Sequence, residues 1–433
     1  MKRFTFLFIG LLCWVMVSGQ PDTLGQPQNH AFSINATVWS RGEVRDGALP
    51  ADNGADYAMF LASKALLRLD YAYKGLEVRV SPNYYGVWGS SSDGSMAISE
   101  AWLGLRHQSG LFLRAGRQII EYDDERIIGS DDWSMVSATH DVLRAGLERG
   151  KHKLHLLLAF NQNDENTEGG TYYVDGGQPY KSMQTLWYHV DPIPNLGASL
   201  VFINSGMQDK RDDKKNIDDY QQLTGVYLDW SPKDWHLQAS GYYQFGRSEY
   251  ALPIHAWMAD AELSWQVNPR WNLRTGYFFM SGDEYFYIPP EGDIGLALKK
   301  EVRGFNPIFG SHHEFYGAMD FFYVTTYYGG NTPGLQDFHL GGLWSPSDRF
   351  QLDAAYHCLA TSIKIPQNRR LLGHEVELSA TWKPMKDVRV QAGYSFMHGT
   401  ETMTTLKRTS DRNRLHWGWV MLIVTPEFFS VKW

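Results

Sequence analysis

Apolar and polar side chains alternate along the chain from residue 31 to residue 424, in segments of roughly ten residues. Residues 76–81 place Leu and Val on one face and Glu, Arg and Ser on the other, and residues 257–265 alternate in the same way. Successive side chains of a strand point to opposite faces, so the pattern predicts two-faced strands. In a transmembrane β-barrel the apolar face meets lipid and the polar face lines the lumen. A very large soluble sandwich is the alternative.

The connections between these segments are alternately short and long. Tight turns rich in Gly, Pro, Asn and Asp fall at 74–75, 108–110, 150–151, 191–195, 231–234, 268–270, 345–348 and 383–387. Longer polar stretches fall at 46–60, 88–97, 121–140, 162–183, 206–218, 247–253, 282–334, 362–370 and 400–411. Eight turns and nine loops predict an all-β, antiparallel barrel of about eighteen strands. The short turns are then periplasmic and the long loops extracellular.

Aromatic residues cluster close to the short turns, as expected for rings at a membrane interface. They are Tyr71, Tyr73, Trp230, Trp235, Trp265, Trp271, Trp344 and Trp382. The chain ends in Trp433, and a terminal aromatic residue is what barrel-assembly machinery commonly recognises. Pro426 separates the last clear strand from Trp433, so the pattern leaves the bounds of the terminal strand open.

Composition supports a barrel rather than a helical membrane protein. Aromatic residues make up 14% of the chain, yet the mean hydropathy is −0.37 and no long apolar run follows the N-terminus. Residues 1–19 have the basic start, apolar core and small-residue end of a signal peptide. Its removal leaves Cys358 as the remaining cysteine and makes the net charge of −8 more negative. This acidic balance argues against nucleic-acid binding.

The predicted organisation is a signal peptide, a short periplasmic segment at 20–30, and a barrel over 31–433. The segment at 20–30 is too short for a plug domain. Residues 282–334 are a long insertion, and part of it could be wall, loop or constriction. Counting residues 305–325 as wall would give an odd number of strands, so we interpret them as a loop or constriction element.

Two stretches of the sequence carry motifs. The first is residues 116–133, GRQIIEYDDERIIGSDDW, followed by Asp141 and Arg144. The second comprises residues 305–310, 313–322 and 334–337. With these motifs the chain resembles the alginate-export family of outer-membrane porins. The resemblance implies an eighteen-stranded monomeric barrel that passively exports an anionic polysaccharide such as alginate through an electropositive constriction.

Strand parity places a set of charged residues on the lumen face. They are Arg41, Arg68, Arg79, Glu100, Arg106, Arg114, Arg144, Arg274, Arg389 and Arg414. A guanidinium stays charged and grips carboxylates bidentately, so a ring of arginines would favour sugar acids or other anions. Alternatively, the arginines pair with luminal carboxylates and brace the wall.

Arg117 breaks this parity, because it falls on the lipid face with Leu113 and Ala115. A charge there costs about 2–4 kcal/mol at mid-membrane. We expect a bulge at Gly116 to turn it inward, although Arg117 could instead lie at the outer rim. The run Asp123, Asp124, Glu125 and Arg126 would then fold inward toward Arg117 and Arg144 and form the constriction. A solvated outer loop is the alternative.

The sequence therefore predicts a passive Gram-negative outer-membrane channel for a polar or anionic solute, without a reaction. A barrel enzyme acting on lipid or polysaccharide, or a surface-binding barrel, are the alternatives. No cofactor or metal is expected: His312, His313 and Glu314 lack the spacing of a helical zinc site. The acidic clusters match no EF-hand loop. The predicted partners are outer-membrane lipid, the solute and the assembly machinery.

Overall fold

The computed structural model describes residues 29–47, 56–92, 94–165, 167–174, 176–211, 217–283, 300–311, 313, 315–322, 332–365, 369–407 and 413–433. The predicted signal peptide and residues 20–28 lie outside these ranges. The first strands are β1 (Ala31–Asp46), β2 (Ala58–Tyr73), β3 (Leu76–Val87), β4 (Ser95–Arg106), β5 (Leu111–Gln118), β6 (His140–Arg149), β7 (His152–Phe160), β8 (Ser182–Ile193) and β9 (Leu196–Gln208).

The chain continues with β10 (Asp218–Trp230), β11 (Trp235–Arg247), β12 (Pro253–Asn268), β13 (Trp271–Met280), β14 (Leu335–Ser347), β15 (Phe350–Ala360), β16 (Leu371–Met385), β17 (Val388–Gly399), a short helix α1 (Glu401–Lys407), β18 (Arg414–Val424) and β19 (Glu427–Lys432). Among the described residues, no helix has the length and apolarity needed to span a membrane.

The strands form one closed antiparallel barrel. Each strand pairs with its successor, and β1 pairs on its other edge with β18 over Val38–Asp46 and with β19 over Ala31–Asn35. β18 and β19 are therefore two pieces of one wall position, and the wall has the eighteen positions that the sequence predicts. Closure satisfies the backbone groups of both edges, which the membrane interior requires.

Pro426 separates the two pieces because it has no N–H to donate to a ladder. Its carbonyl still accepts a hydrogen bond from the Ala36 N–H at 3.0 Å. At the far end of β19, Trp433 and His30 exchange backbone hydrogen bonds of 2.8 and 3.0 Å. The terminal strand that the sequence leaves open thus continues past the proline.

The alternation of short and long connections is confirmed. Short turns join β2 to β3, β4 to β5 and each following even-numbered strand to the next, up to β16 and β17. The nine other connections between successive wall positions are longer. β13 pairs directly with β14, so the described residues between these two strands add no strand to the wall. The described residues of this insertion lie outside the wall ladder, and their interpretation as a loop or constriction element stays a prediction.

The outward face is apolar and carries the predicted aromatic girdle. Trp235 stacks on Trp265 with ring centroids 5.4 Å apart, and Trp271 stacks on Trp344 at 5.9 Å. Each pair joins neighbouring strands beside a short turn. The inward face holds buried polar residues such as Lys64. Strand parity therefore separates a lipid face from a polar lumen.

Candidate constriction in the barrel lumen

The loop between β5 and β6 folds into the lumen over residues 120–137, here called the first luminal segment. Inward side chains of three neighbouring strands hold one part of it. Arg41 on β1 donates to the Trp133 carbonyl at 2.8 Å, Lys64 on β2 donates to the Ser137 hydroxyl at 3.2 Å, and Asn83 on β3 donates to the segment's carbonyl at residue 135 at 2.9 Å. This part is therefore fixed to the β1–β3 wall.

Another part of the first luminal segment reaches the wall around β8. The ring of Tyr122 stacks on Trp187 of β8 at 4.5 Å. The Trp187 indole N–H donates to the Asp123 carboxylate at 3.2 Å. Burial raises the pKa of Asp123, while the hydrogen bond from Trp187 opposes that rise. The sequence also allowed a solvated outer loop. That interpretation is wrong, because the acidic run that begins at Asp123 contacts the inside of the barrel.

Arg126 is the buried cation of the first luminal segment. Its guanidinium lies 3.1 Å from Asp124 and 3.2 Å from Asp260 of β12, and it stacks over the ring of Phe315 at 3.9 Å. Its side chain is 11% exposed. Burial alone would lower the pKa of Arg126, but Asp260 and Asp124 outweigh that effect and raise it. The side chain is thus a fixed positive charge between two carboxylates.

A second luminal segment in the β13–β14 loop joins the first; it comprises the described residues of 305–322, which are 305–311, 313 and 315–322. The Gly129 N–H donates to the Phe309 carbonyl at 2.9 Å, and the Ser311 N–H donates to the Glu125 carbonyl at 2.9 Å. A Cβ at Gly310 would overlap the Arg126 carbonyl, so only glycine permits this close approach. The two segments therefore form one unit inside the barrel.

The second luminal segment is also fixed to the wall. The Asn306 N–H donates to Gln244 of β11 at 3.0 Å, and the N–H groups of Ala318 and Met319 donate to Glu377 and Glu375 of β16 at 2.6 and 3.0 Å. β11 lies nine positions from β2 in a ring of eighteen. Together the two segments therefore cross the lumen between opposite walls.

A polar cavity of about 420 Å³ remains between the second luminal segment and the wall from β11 to β16. Its lining carries both signs of charge: Arg126 and Arg274 are basic, whereas Asp124, Asp260 and Glu262 are acidic. Arg274 forms a bidentate pair with Asp353 at 2.6 Å. This cavity is a polar space of mixed charge and not a purely electropositive one.

Most of the arginines assigned to the lumen by parity do face inward. Arg79 pairs with Asp70 at 2.6 Å and Glu100 at 3.3 Å. Arg106 and Arg114 share Glu77, at 3.2 and 2.8 Å. Arg41, Arg68, Arg144, Arg274 and Arg389 have the same inward parity. Arg414 does not, because its neighbour Leu415 is the buried residue, and Arg414 faces outward.

The expected bulge at Gly116 is wrong. Strand β5 keeps a continuous register with β6, in which Gly116 lies opposite Val142 and Arg117 lies opposite Asp141. Arg117 and Asp141 therefore stay on the outward face and form a bidentate pair at 2.8 Å. A cross-strand partner of opposite charge at the ends of the strands removes the need to turn Arg117 inward. Gly116 is required for another reason: a Cβ would overlap the Ala101 carbonyl.

The run from Asp123 to Arg126 thus folds inward as expected, but without Arg117 and Asp141. Arg144 lies near it, with its guanidinium 5.4 Å from the Tyr122 ring. The sequence does not identify the contacts made by Trp187, Glu375 or Gln244. Their inward parity could be read from the alternation, but the segment that each one meets depends on how the long loops fold.

The alginate export family matches residues 86–360 of the chain. No curated protein is similar to it in sequence. Among solved structures, OccK9 (OpdG) of Pseudomonas aeruginosa has a TM-score of 0.63 at 13% identity, covering 92% of this chain and 98% of its own. OccD3 (OpdP) of the same organism has a TM-score of 0.60 at 13% identity, covering 95% and 93%.

OccK2 (OpdF) of Pseudomonas aeruginosa, solved in complex with glucuronate, has a TM-score of 0.62 at 13% identity, covering 92% of this chain and 98% of its own. At this identity the three structures establish the shared fold. The family match spans more than half of the chain and includes both luminal segments. The chain is therefore a member of the alginate export family and a Gram-negative outer-membrane β-barrel channel.

Proposed function

We propose that this channel conducts anionic or polar solutes passively, and that sugar acids are the favoured class. The observation that carries the proposal is a row of inward arginines on five consecutive strands, β2 to β6. The row comprises Arg68, Arg79, Arg106, Arg114 and Arg144. A row of fixed guanidinium groups along one wall favours anions in a narrow, water-poor lumen.

Three members of the row are neutralised by carboxylates. Arg79, Arg106 and Arg114 pair with Asp70, Glu100, Glu77 and Glu148. These pairs support the alternative role of bracing the wall, since their charges are already matched. Anion recognition must therefore rest on the remaining two members of the row.

Arg68 and Arg144 have no carboxylate ion pair among the described residues. The Nε atom of each is buried without a hydrogen-bond partner. The guanidinium of Arg144 also contacts the Nδ1 atom of His155 at 3.0 Å. No carboxylate of the described wall therefore neutralises these two guanidinium groups, and their charge can act on an anionic solute.

Two comparisons support sugar acids as the class of solute. The family takes its name from the export of alginate, which is a polymer of uronic acids, and the structurally similar OccK2 was solved with glucuronate. We propose that monomeric or oligomeric uronates pass through this chain as well. The direction of transport follows the solute gradient, because passive diffusion has no coupled energy source.

Replacing both Arg68 and Arg144 with Gln tests this proposal. We expect the reversal potential in a KCl gradient to shift toward cation selectivity, and liposome swelling with glucuronate to slow relative to glucose. The matched control is Arg414→Gln, since Arg414 faces outward. Equal selectivity and swelling in the double variant and the control would refute the role of these arginines.

The lumen also contains a Ser–His–Asp set that bears on the alternative of an enzyme. The Ser199 hydroxyl lies 2.9 Å from His189 Nδ1, and His189 Nε2 lies 3.3 Å from Asp191. Ser199 is 3% exposed and therefore does not present its oxygen to a substrate in the membrane or the lumen. A nucleophile must reach the reacting carbon, so this observation favours conduction over hydrolysis.

We further propose that the mature protein is a monomer that begins after residue 19, with the short turns in the periplasm. Closure of the wall within one chain supports the monomer. Trp433, held against the start of β1, supplies the aromatic end for the assembly machinery. The mass of the protein extracted from outer membranes would reveal the processed N-terminus.

A further inference from the structure

A cluster of alternating histidine and carboxylate side chains lines the cavity beside the second luminal segment. His339 of β14 and His357 of β15 lie directly opposite each other across the ladder. Asp337 precedes His339 by two residues and so shares its inward face. One nitrogen of each histidine and one oxygen of Asp337 all lie within 4.8 Å of one another.

The spacing of the three side chains is compatible with metal ligands. The Nδ1 atoms of His339 and His357 lie 3.3 Å and 2.8 Å from Asp337 Oδ2. Tetrahedral zinc ligands bound at 2.0–2.2 Å are separated by about 3.3 Å. Asp337 Oδ1 and His339 Nδ1 are both buried without a hydrogen-bond partner, and Asp337 is 3% exposed. The cluster therefore contains a buried carboxylate oxygen and a buried ring nitrogen that have no hydrogen-bond partner.

Each ring also has an outer partner. His339 Nε2 lies 3.1 Å from Glu262 of β12, and His357 Nε2 lies 3.4 Å from Glu377 of β16. Metal-bound histidines usually donate their other ring N–H to a carboxylate, which fixes the tautomer and leaves the first nitrogen free to bind. The cluster has such a carboxylate on both histidines.

We propose that Asp337, His339 and His357 bind a divalent first-row transition metal, with Zn²⁺ as the best fit to two imidazoles and one carboxylate. Hard cations such as Ca²⁺ prefer all-oxygen ligands and fit this set poorly. Three protein ligands leave a coordination position open. The three ligands line the cavity of about 420 Å³ together with Arg126 and Arg274.

The sequence does not reveal this site, because its ligands come from two strands whose register is not visible in one sequence. Asp337 and His339 show the spacing of two residues, but His357 is placed beside them only by the pairing of β14 with β15. The three ligands also lack the four-residue spacing of two histidines in helical zinc motifs. The site is a feature of the barrel wall and does not depend on the proposed solute.

Zinc titration of the folded, chelator-treated protein in detergent tests the proposal. We expect one Zn²⁺ per chain by calorimetry and by metal analysis after dialysis. The variants His339→Ala and His357→Ala should each abolish this binding. Glu262→Gln should retain the ligands but weaken affinity by roughly 10–100-fold. Heat-modifiable migration on a gel confirms that each variant remains a folded barrel.

The matched control is His236→Ala. His236 also pairs with a carboxylate, Asp229 at 2.9 Å, but its pair is more than one-third exposed and lies apart from the cluster. The His236→Ala variant should bind zinc as the wild type does. Equal binding by the wild type and the double variant His339→Ala/His357→Ala would overturn the proposal, since the metal would then sit elsewhere. Absence of binding in the wild type would also overturn it.

Discussion

Replacing residues 305–322 with a short Gly/Ser linker raises the single-channel conductance several-fold. The physical reason is that the second luminal segment occupies the interior between the first segment and the walls at β11 and β16. Removing it also removes the backbone bonds that hold Gly129 and Glu125, so the remaining loop loses one of its supports. The wall itself is untouched, because β13 pairs directly with β14. Planar-bilayer recordings measure the effect.

The control is the same replacement by a Gly/Ser linker in an extracellular loop whose described residues do not enter the lumen. Residues 89–92, between β3 and β4, are exposed, and their replacement should leave the conductance unchanged. A conductance that stays at the wild-type value after loss of residues 305–322 would show that these residues do not limit the current. Both variants should keep the heat-modifiable migration of a closed barrel.

Arg126→Ala loosens the first luminal segment and increases both conductance and current noise. The substitution leaves Asp124 and Asp260 without their buried cation, and breaking one partner of a buried ion pair costs about 3–5 kcal/mol. The side chains of all three residues are at most 11% exposed, so water compensates little. The loss also removes the stacking on Phe315. Bilayer recordings show the change in current, and limited proteolysis reports the exposed loop.

Arg117→Ala provides the matched control, because it removes an arginine from the same stretch of sequence and breaks a bidentate pair. The Arg117–Asp141 pair lies on the outward face, with side chains 40% and 37% exposed. Conductance and ion selectivity should therefore remain at wild-type values. If Arg117→Ala changed the current as strongly as Arg126→Ala, the assignment of Arg126 to the constriction would fail.

The fold could be predicted from the sequence because a membrane barrel obeys two local rules. Side-chain parity has a period of two, and the length of each connection depends on the side of the membrane. Both rules operate within about ten residues, so one sequence is enough to count eighteen wall positions. The sequence shows the proline that interrupts the last strand. The continuation of that strand as β19, however, depends on its pairing with Ala31–Asn35.

The candidate site was predictable only in part, because it is built from contacts between distant residues. Parity correctly placed Arg79, Arg106 and Arg114 inward. It could not show that Asp141 lies opposite Arg117, since register between strands depends on the whole sheet. The fold of the luminal segments was harder still. The conformation of these segments depends on single contacts, such as that of Ser311 with Glu125. No periodic pattern in the sequence encodes such contacts.

The seam where β1 meets β18 and β19 has a consequence for assembly. It joins the two ends of the chain, whereas every other wall contact joins neighbours in sequence. Bringing such distant partners together has the largest chain-entropy cost, so the seam should form last. Until Glu427–Lys432 has docked, the stretch Ala31–Asn35 of β1 stays an open edge. A chain truncated before this segment would therefore leave part of β1 as an open edge, which is prone to edge-to-edge aggregation.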